Sequence, residues 1–197
     1  MLCQFTVKNF KSIRDEATFD MQAAAISEHE DRIIRDKDGE LYLPVSAIYG
    51  PNGGGKSNVL EALHSLSLKV LRPLYATSDN EDRVIPCKKL VIEPFAFSKK
   101  KKEEPTEFEV FFRSKLAEYR YILSVKRDLV LYERLDRVKL DTGRRSALFE
   151  RTDEGIILKG VFARLKISDE LSDTLPLLSY LGITYRKNEI VNDVLDW

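Results

Sequence analysis

The chain is poor in the residue types that mark several large protein classes. Its two cysteines, Cys3 and Cys87, form neither a CxxC pair nor a Cys/His cluster, which argues against a disulfide framework and a structural zinc site. Nine glycines and seven prolines in 197 residues exclude collagen-like and low-complexity chains. No apolar run reaches the ~18 residues that a membrane span needs, and no signal-peptide pattern is present. These absences predict a cytoplasmic protein with no membrane partner.

An excess of charge of one sign is also missing. Lys plus Arg and Asp plus Glu number 32 each, so the formal net charge is zero. Long-range attraction to nucleic acid or to an anionic membrane therefore does not organise this protein, although a local basic patch stays open. Hydrophobic residues make up 43% of the chain, which is enough for a core and excludes wholesale disorder.

Hydrophobic patterning in the first half predicts strands and then one helix. Strands are expected at Leu2–Val7 and Ala17–Met21. The short apolar run Leu43–Tyr49 is typical of a buried parallel strand. From Lys56 the apolar residues recur in steps of three and four, which predicts an amphipathic helix that Pro73 can end. Its predicted buried face comprises Leu60, Leu63, Leu66, Val70 and Leu71.

The second half returns to a period of two and predicts an antiparallel sheet. We expect strands at Leu90–Phe97, around Phe108 to Phe112, around Tyr119 to Val125, and at Leu129–Leu135. The run Lys99–Lys102 is interpreted as a charged hairpin tip between the first two of these strands. The last ~35 residues lose the alternation and are predicted to be helical.

Residues 50–57 carry the one motif with a clear chemistry. They fit G-x-x-x-x-G-K-[ST], and a chance match in a chain this long is about 1%. Glycines let successive N–H groups form an anion nest, to which a following helix adds its positive end. Lys56 should face solvent without ligand and bridge the β- and γ-phosphates of ATP, while the Ser57 hydroxyl ligates Mg²⁺. The predicted nucleotide-binding residues here are Gly50, Pro51, Asn52, Gly53, Gly54, Gly55, Lys56 and Ser57.

Two segments, residues 8–13 (KNFKSI) and 47–63 (AIYGPNGGGKSNVLEAL), resemble the N-terminal lobe of ABC-type ATPases of the SMC and RecF kind. More closely, the chain is similar to bacterial AAA family or OLD-like ATPases often encoded in phage-defence loci. In that group a KNF(K/R)S turn follows the first strand, and a GPNGxGKSN loop follows the third. The resemblance adds Asn58 to the nucleotide-binding set. Lys11 is either a nucleotide contact, as in similar ATPases, or part of a solvated turn.

Several parts of an ABC-type hydrolytic site have no counterpart in the sequence. There is no Walker B acid pair, no LSGG signature and no suitably placed glutamine, and His29 and His64 are both predicted to be structural. Residues 129–132 are apolar and precede Glu133, but Arg134 stands where the second acid belongs. We therefore interpret this segment as a sheet strand. The catalytic residues are expected in a missing C-terminal half or in a partner chain.

These features together predict an α/β P-loop NTPase lobe that is ABC-ATPase-like, with a flanking antiparallel β-sheet and C-terminal helical segments. Residues 1–160 would form the nucleotide-binding lobe, and residues 161–197 would lead into the missing half. The resemblance implies an ATP-driven homodimer in DNA-linked defence or repair, with DNA and a nuclease or effector as partners. ATPase activity is expected of the full-length protein and not of this chain alone. A non-hydrolysing nucleotide-sensing or structural module, and a separate P-loop kinase or GTPase, stay open as alternatives.

Overall fold

The computed structural model describes residues 1–24, 26, 29–36, 38–76, 91–169 and 171–197. Within these residues, a seven-stranded antiparallel sheet with the order β2-β1-β5-β6-β7-β8-β9 packs against three α-helices, and β3 and β4 form a separate hairpin. The strands are β1 Leu2–Lys8, β2 Ala17–Asp20, β3 Ile34–Arg35, β4 Leu41–Tyr42, β5 Thr106–Arg113, β6 Ala117–Lys126, β7 Leu129–Lys139, β8 Arg145–Thr152 and β9 Gly155–Leu158. The helices are α1 Lys56–Ala76, α2 Leu177–Thr184 and α3 Glu189–Leu195.

The sheet follows from the period-two pattern, because alternate side chains of a strand point to the same face. In β5 the inward residues include Phe108 and Phe112, and their partners across β6 are Leu123 and Tyr119. All four side chains are buried against the helices. The predicted strands at 2–7, 17–21, 108–112, 119–125 and 129–135 are confirmed.

Helix α1 crosses the apolar face of the sheet and buries Ala62, Leu66 and Val70. Two expectations about it are wrong. Leu60 is 62% exposed, because the buried stripe runs through Ala62 instead. Pro73 lies inside the helix, which continues to Ala76, since a proline removes one backbone donor without forbidding a further turn.

Two predicted strands are absent from the described residues. Leu43–Tyr49 forms no strand, and Val45 and Tyr49 are 78% and 90% exposed. A buried parallel strand needs neighbours on both sides, and no described strand pairs with this segment. Residues 91–97 also form no strand, and Leu90 lies outside the described residues. Lys99–Lys102 is therefore no hairpin tip; it leads into a short 3₁₀ turn, Lys101–Glu103, before β5.

The predicted C-terminal helices are confirmed, and they share the core of the sheet. The Ser179 hydroxyl of α2 donates to the carbonyl of Val70 in α1 at 2.6 Å. Asn188 caps α3 by accepting from the N–H groups of Ile190 and Val191, both at 3.1 Å. None of the helices in the described residues has an apolar stretch long enough to cross a bilayer.

Candidate functional site

The turn after β1 is built around a buried asparagine. Asn9 is fully buried at a φ of 56°, in the left-handed region that asparagine tolerates better than most residues. Its side-chain amide donates to the carbonyls of Lys101, Glu104 and Pro105 at 2.9–3.0 Å, and its Oδ1 accepts from the N–H of Phe95 at 3.0 Å. Asn9 thus ties the end of β1 to residues 95–105.

The same turn presents Lys11 and Ser12 to the start of α1. The Ser12 hydroxyl accepts a hydrogen bond from the Asn58 amide at 2.6 Å, and Lys11 forms an ion pair with Glu61 on α1. The structure therefore brings the two sequence motifs together, as the resemblance implies. In this arrangement the Lys11 ammonium is paired with the carboxylate of Glu61, which lies about one helical turn after Asn58.

The glycine-rich loop adopts backbone angles that require its glycines. Gly53 and Gly55 have φ values of 80° and 86°, which L-residues with a Cβ rarely adopt. A Cβ at Gly55 would also lie 2.9 Å from the Ser12 hydroxyl. The N–H of Gly54 donates to the carbonyl of Pro51 at 3.1 Å, which closes a tight turn within the loop. The loop is thus held by its own backbone and by the neighbouring turn.

Lys56 does not face solvent freely, contrary to expectation. Its ammonium donates to the carbonyls of Gly50 and Pro51, both at 2.9 Å, so the side chain folds back across the mouth of the loop. The reason is that an ammonium has three donors, and carbonyl oxygens of the loop, each with two lone pairs, lie within its reach. This places a positive charge directly above the loop, where an anion would meet it.

Mg²⁺ would depend on very few protein ligands at this site. Ser57 is exposed in the first turn of α1 and offers one hydroxyl oxygen next to the loop. Among the described residues no cluster of three His, Cys, Asp or Glu side chains could hold a metal. With a phosphate chain in the loop, Mg²⁺ held by Ser57 and phosphate oxygens would neutralise part of its charge. Mg²⁺ keeps several waters in such sites, so one protein ligand is compatible with it.

Glu133 lies within strand β7, as predicted, and its carboxylate has a structural task. It is fully buried and accepts hydrogen bonds from the Tyr121 hydroxyl at 2.9 Å and from the N–H groups of Leu177 and Leu178 at 2.5 and 2.9 Å. It therefore caps the start of α2 from a distant strand. Burial raises the pKa of Glu133, although these donors partly oppose the rise.

No described contact places the histidines or cysteines of the chain at the loop. His64 lies in α1 and His29 in a turn at a φ of 60°, while Cys3 is buried in β1 and Cys87 lies outside the described residues. Sequence reasoning missed Ser12 and Glu61 as partners of the loop region. The KNFKS turn was the available signal for Ser12, but contacts across 46 residues of chain cannot be derived from local pattern.

Comparisons with known proteins agree with this geometry. A family model described as "AAA domain, putative AbiEii toxin, Type IV TA system" matches residues 45–179, which is most of the chain and includes the whole loop. No curated protein sequence matches the chain. The function typical of such AAA domains is nucleotide binding of the ATPase type, with ATP and Mg²⁺ as the general ligands of the family. The chain therefore belongs to this AAA-domain family of P-loop ATPases.

Proposed function

We propose that the chain is the ATP-binding lobe of an ABC/SMC-like ATPase, with residues 50–58 as the triphosphate site. The observation that carries the proposal is the Gly53–Lys56 bend. Its glycines take positive φ angles, and the Lys56 ammonium lies over the loop carbonyls. An incoming β- or γ-phosphate would draw this ammonium away from Gly50 and Pro51, because a charged acceptor binds it more strongly than a neutral carbonyl does.

Hydrolysis is proposed to need strands and acids from a C-terminal half or a second subunit. The exposed apolar residues Val45, Ile48 and Tyr49, directly before the loop, support this part of the proposal. They would become buried if further strands paired with residues 43–49. The one acid of this chain that mimics a Walker B position, Glu133, is fully occupied in capping α2. ATP would then join two such lobes as a homodimer.

A role in DNA-linked defence or repair, with a nuclease or effector as partner, is the finer proposal. The family description names a toxin of a toxin–antitoxin system, which is compatible with a defence role. The exposed lysines 99, 100 and 102 support DNA as a partner. Among the described residues, the neighbouring Glu103 and Glu104 pair instead with Lys126 and Lys101. The three exposed lysines would bind DNA phosphates without reading sequence. The cysteine-poor composition supports a cytoplasmic location.

The decisive experiment is isothermal titration calorimetry, in which ATP is titrated into the wild-type chain and into Lys56→Ala. The proposal predicts that Lys56→Ala weakens ATP binding at least tenfold, because an attractive charge over the phosphates is lost. Lys166→Ala, an exposed lysine outside the loop, serves as the matched control and should bind like the wild type. Equal affinity of wild type and Lys56→Ala would refute the assignment of the loop.

A second candidate, a non-hydrolysing nucleotide-sensing module, is favoured by the structural role of Glu133. Measurement of ATPase turnover distinguishes the ATPase lobe from the sensing module. The lobe proposal predicts little or no ATPase activity from the 197-residue chain and activity from the full-length gene product or its dimer. ATP binding without turnover in both would favour the sensing module. Steady turnover by the isolated chain would mean that an acid within it is catalytic.

A further inference from the structure

A second concave site lies at the end of the sheet opposite the phosphate loop. The turn beside the loop follows β1, whose last residue pairs with Glu107 at the start of β5, whereas the second site begins beyond the end of β5. It is a cleft of about 440 Å³ between the β5–β6 and β7–β8 connections. Its lining consists of Lys115, Leu116, Arg137, Lys139, Leu140 and Asp141.

Three cations line this cleft, two of them on strand β7 and the third, Lys115, in the turn between β5 and β6. Arg137 and Lys139 are two residues apart on β7, so they share a face with about 7 Å between them. Their cross-strand partners are Tyr119 and Ala117, and Lys115 lies two residues before Ala117. All three cationic side chains therefore line the same cleft at one end of the sheet.

The charge of these three cations is not balanced by ion pairs among the described residues of the cleft. In the described part of the molecule, no carboxylate lies within 4 Å of the charged groups of Lys115, Arg137 or Lys139. Asp141, the one acid in the lining, accepts a hydrogen bond from the Thr142 hydroxyl. The lining of the cleft therefore carries three positive charges and one negative charge, and Lys115 also borders a neighbouring depression lined by Asp36, Asp193 and Asp196.

Arg137 has donor capacity that its described neighbours do not use. Its Nε is buried and has no hydrogen-bond partner among the described residues. The guanidinium is near the Tyr119 hydroxyl, which itself donates to Asp193 at 3.0 Å. No ion pair among the described residues holds this guanidinium, so an anion in the cleft would be its first charged partner.

We propose that this cleft binds the phosphate group of a small phosphomonoester. A phosphomonoester carries a charge of about −1.5 to −2 at pH 7, which matches the excess of two positive charges. Arg137 offers the planar donor pair that suits phosphate oxygens, and the two lysines supply point charges. Leu116 and Leu140 give the organic part apolar contacts, and the volume lies in the range of small-molecule sites, about 300–1,000 Å³. This inference is independent of the function proposed for the phosphate loop.

The test is carried out in a Lys56→Ala background, so that the phosphate loop does not dominate the signal. Ribose 5-phosphate, inorganic phosphate and ribose are titrated separately and followed by amide chemical shifts in NMR spectra. We expect the two phosphates, and not ribose, to shift amides of residues 114–116 and 140–144. Tighter binding of ribose 5-phosphate identifies a phosphomonoester; equal binding of inorganic phosphate identifies the free anion and overturns the apolar part of the proposal.

Substitutions test the two exposed lysines and the one acid of the cleft. Lys115→Gln and Lys139→Gln, both at exposed positions, should each weaken ribose 5-phosphate binding about threefold to tenfold, and Asp141→Asn should tighten it. Lys166→Gln is the control for loss of an exposed charge elsewhere. Equal weakening by Lys166→Gln, or no amide shift at millimolar ligand, overturns the proposal. Tighter binding of an oligonucleotide without a terminal phosphate at the same residues would also overturn it, in favour of a nucleic-acid backbone site.

Discussion

Replacing Glu133 by glutamine tests whether this buried acid holds the fold or performs chemistry. The carboxylate accepts three hydrogen bonds, from Tyr121 and from the N–H groups of Leu177 and Leu178. A glutamine side chain has one oxygen, so its NH₂ group must face at least one of these donors. The substitution keeps the volume of the side chain and removes only acceptor capacity and charge.

The expected loss in unfolding free energy follows from that mismatch. A buried donor left without an acceptor costs about 1–3 kcal/mol, and hydrogen bonds to charged groups lie toward the upper end. We therefore expect Glu133→Gln to lower the unfolding free energy by about 2–3 kcal/mol. For a chain of this size, 1 kcal/mol corresponds to roughly 2–4 °C in Tm, so Tm should fall by about 4–12 °C.

The assay is urea unfolding and thermal melting followed by circular dichroism, with Glu154→Gln as the control. Glu154 is exposed in the β8–β9 turn, so its substitution should change stability by less than about 0.5 kcal/mol. A Glu133→Gln variant that melts within about 1 °C of the wild type, yet loses ATPase activity in the full-length protein, would refute the structural assignment.

The pH dependence of this effect has a defined sign. Burial raises the pKa of Glu133 above its ordinary value of 4.5, so the folded state binds this proton more tightly than the unfolded state. The stability that Glu133 contributes is therefore complete below pH 4.5 and declines as the pH rises through the folded pKa. The stability difference between wild type and Glu133→Gln should grow as the pH falls from 7 toward 4.5.

Three further predictions concern the loop, the β3–β4 hairpin and the turn after β1. Gly55→Ala should weaken ATP binding more than tenfold in calorimetry, since its Cβ would meet Ser12, whereas Gly39→Ala, at a similar φ of 88° with open space around it, should leave affinity unchanged. Arg113 holds the pKa of Asp38 below its usual 3.8, so Asp38→Asn should lower the unfolding free energy by about 0.5–1.5 kcal/mol in urea at pH 7. Because a carboxylate with a lowered pKa stabilises the fold only above that pKa, the difference between wild type and variant should vanish as the pH falls through it. A difference that stays constant with pH would contradict the ion pair. Asn9→Ala should lower the unfolding free energy by about 3 kcal/mol, measured in the same way, and a loss under 1 kcal/mol would contradict its role in joining β1 to residues 95–105.

Local pattern predicted the regular elements well where side-chain burial is decided by near neighbours. The alternation of apolar and polar residues in β5, β6 and β7 was sufficient to predict those strands, because one face of an antiparallel sheet packs against the core and the other faces solvent. The strand predicted at Leu43–Tyr49 was wrong because an apolar run indicates only that burial of these side chains is favourable. Whether a neighbouring strand is available to pair with this segment depends on residues elsewhere in the fold.

The amino-acid sequence by itself determined the glycine-rich loop at residues 50–57, because glycines at positive φ and the start of a helix are local requirements. It also determined the strands of the sheet through their period. Only the tertiary structure decided what Glu133 does, which side of α1 is buried and which turn supports the loop. Asn9, Ser12 and Glu133 act through partners 44–97 residues away along the chain. Such contacts depend on how the sheet and helices pack, and no local pattern encodes that packing.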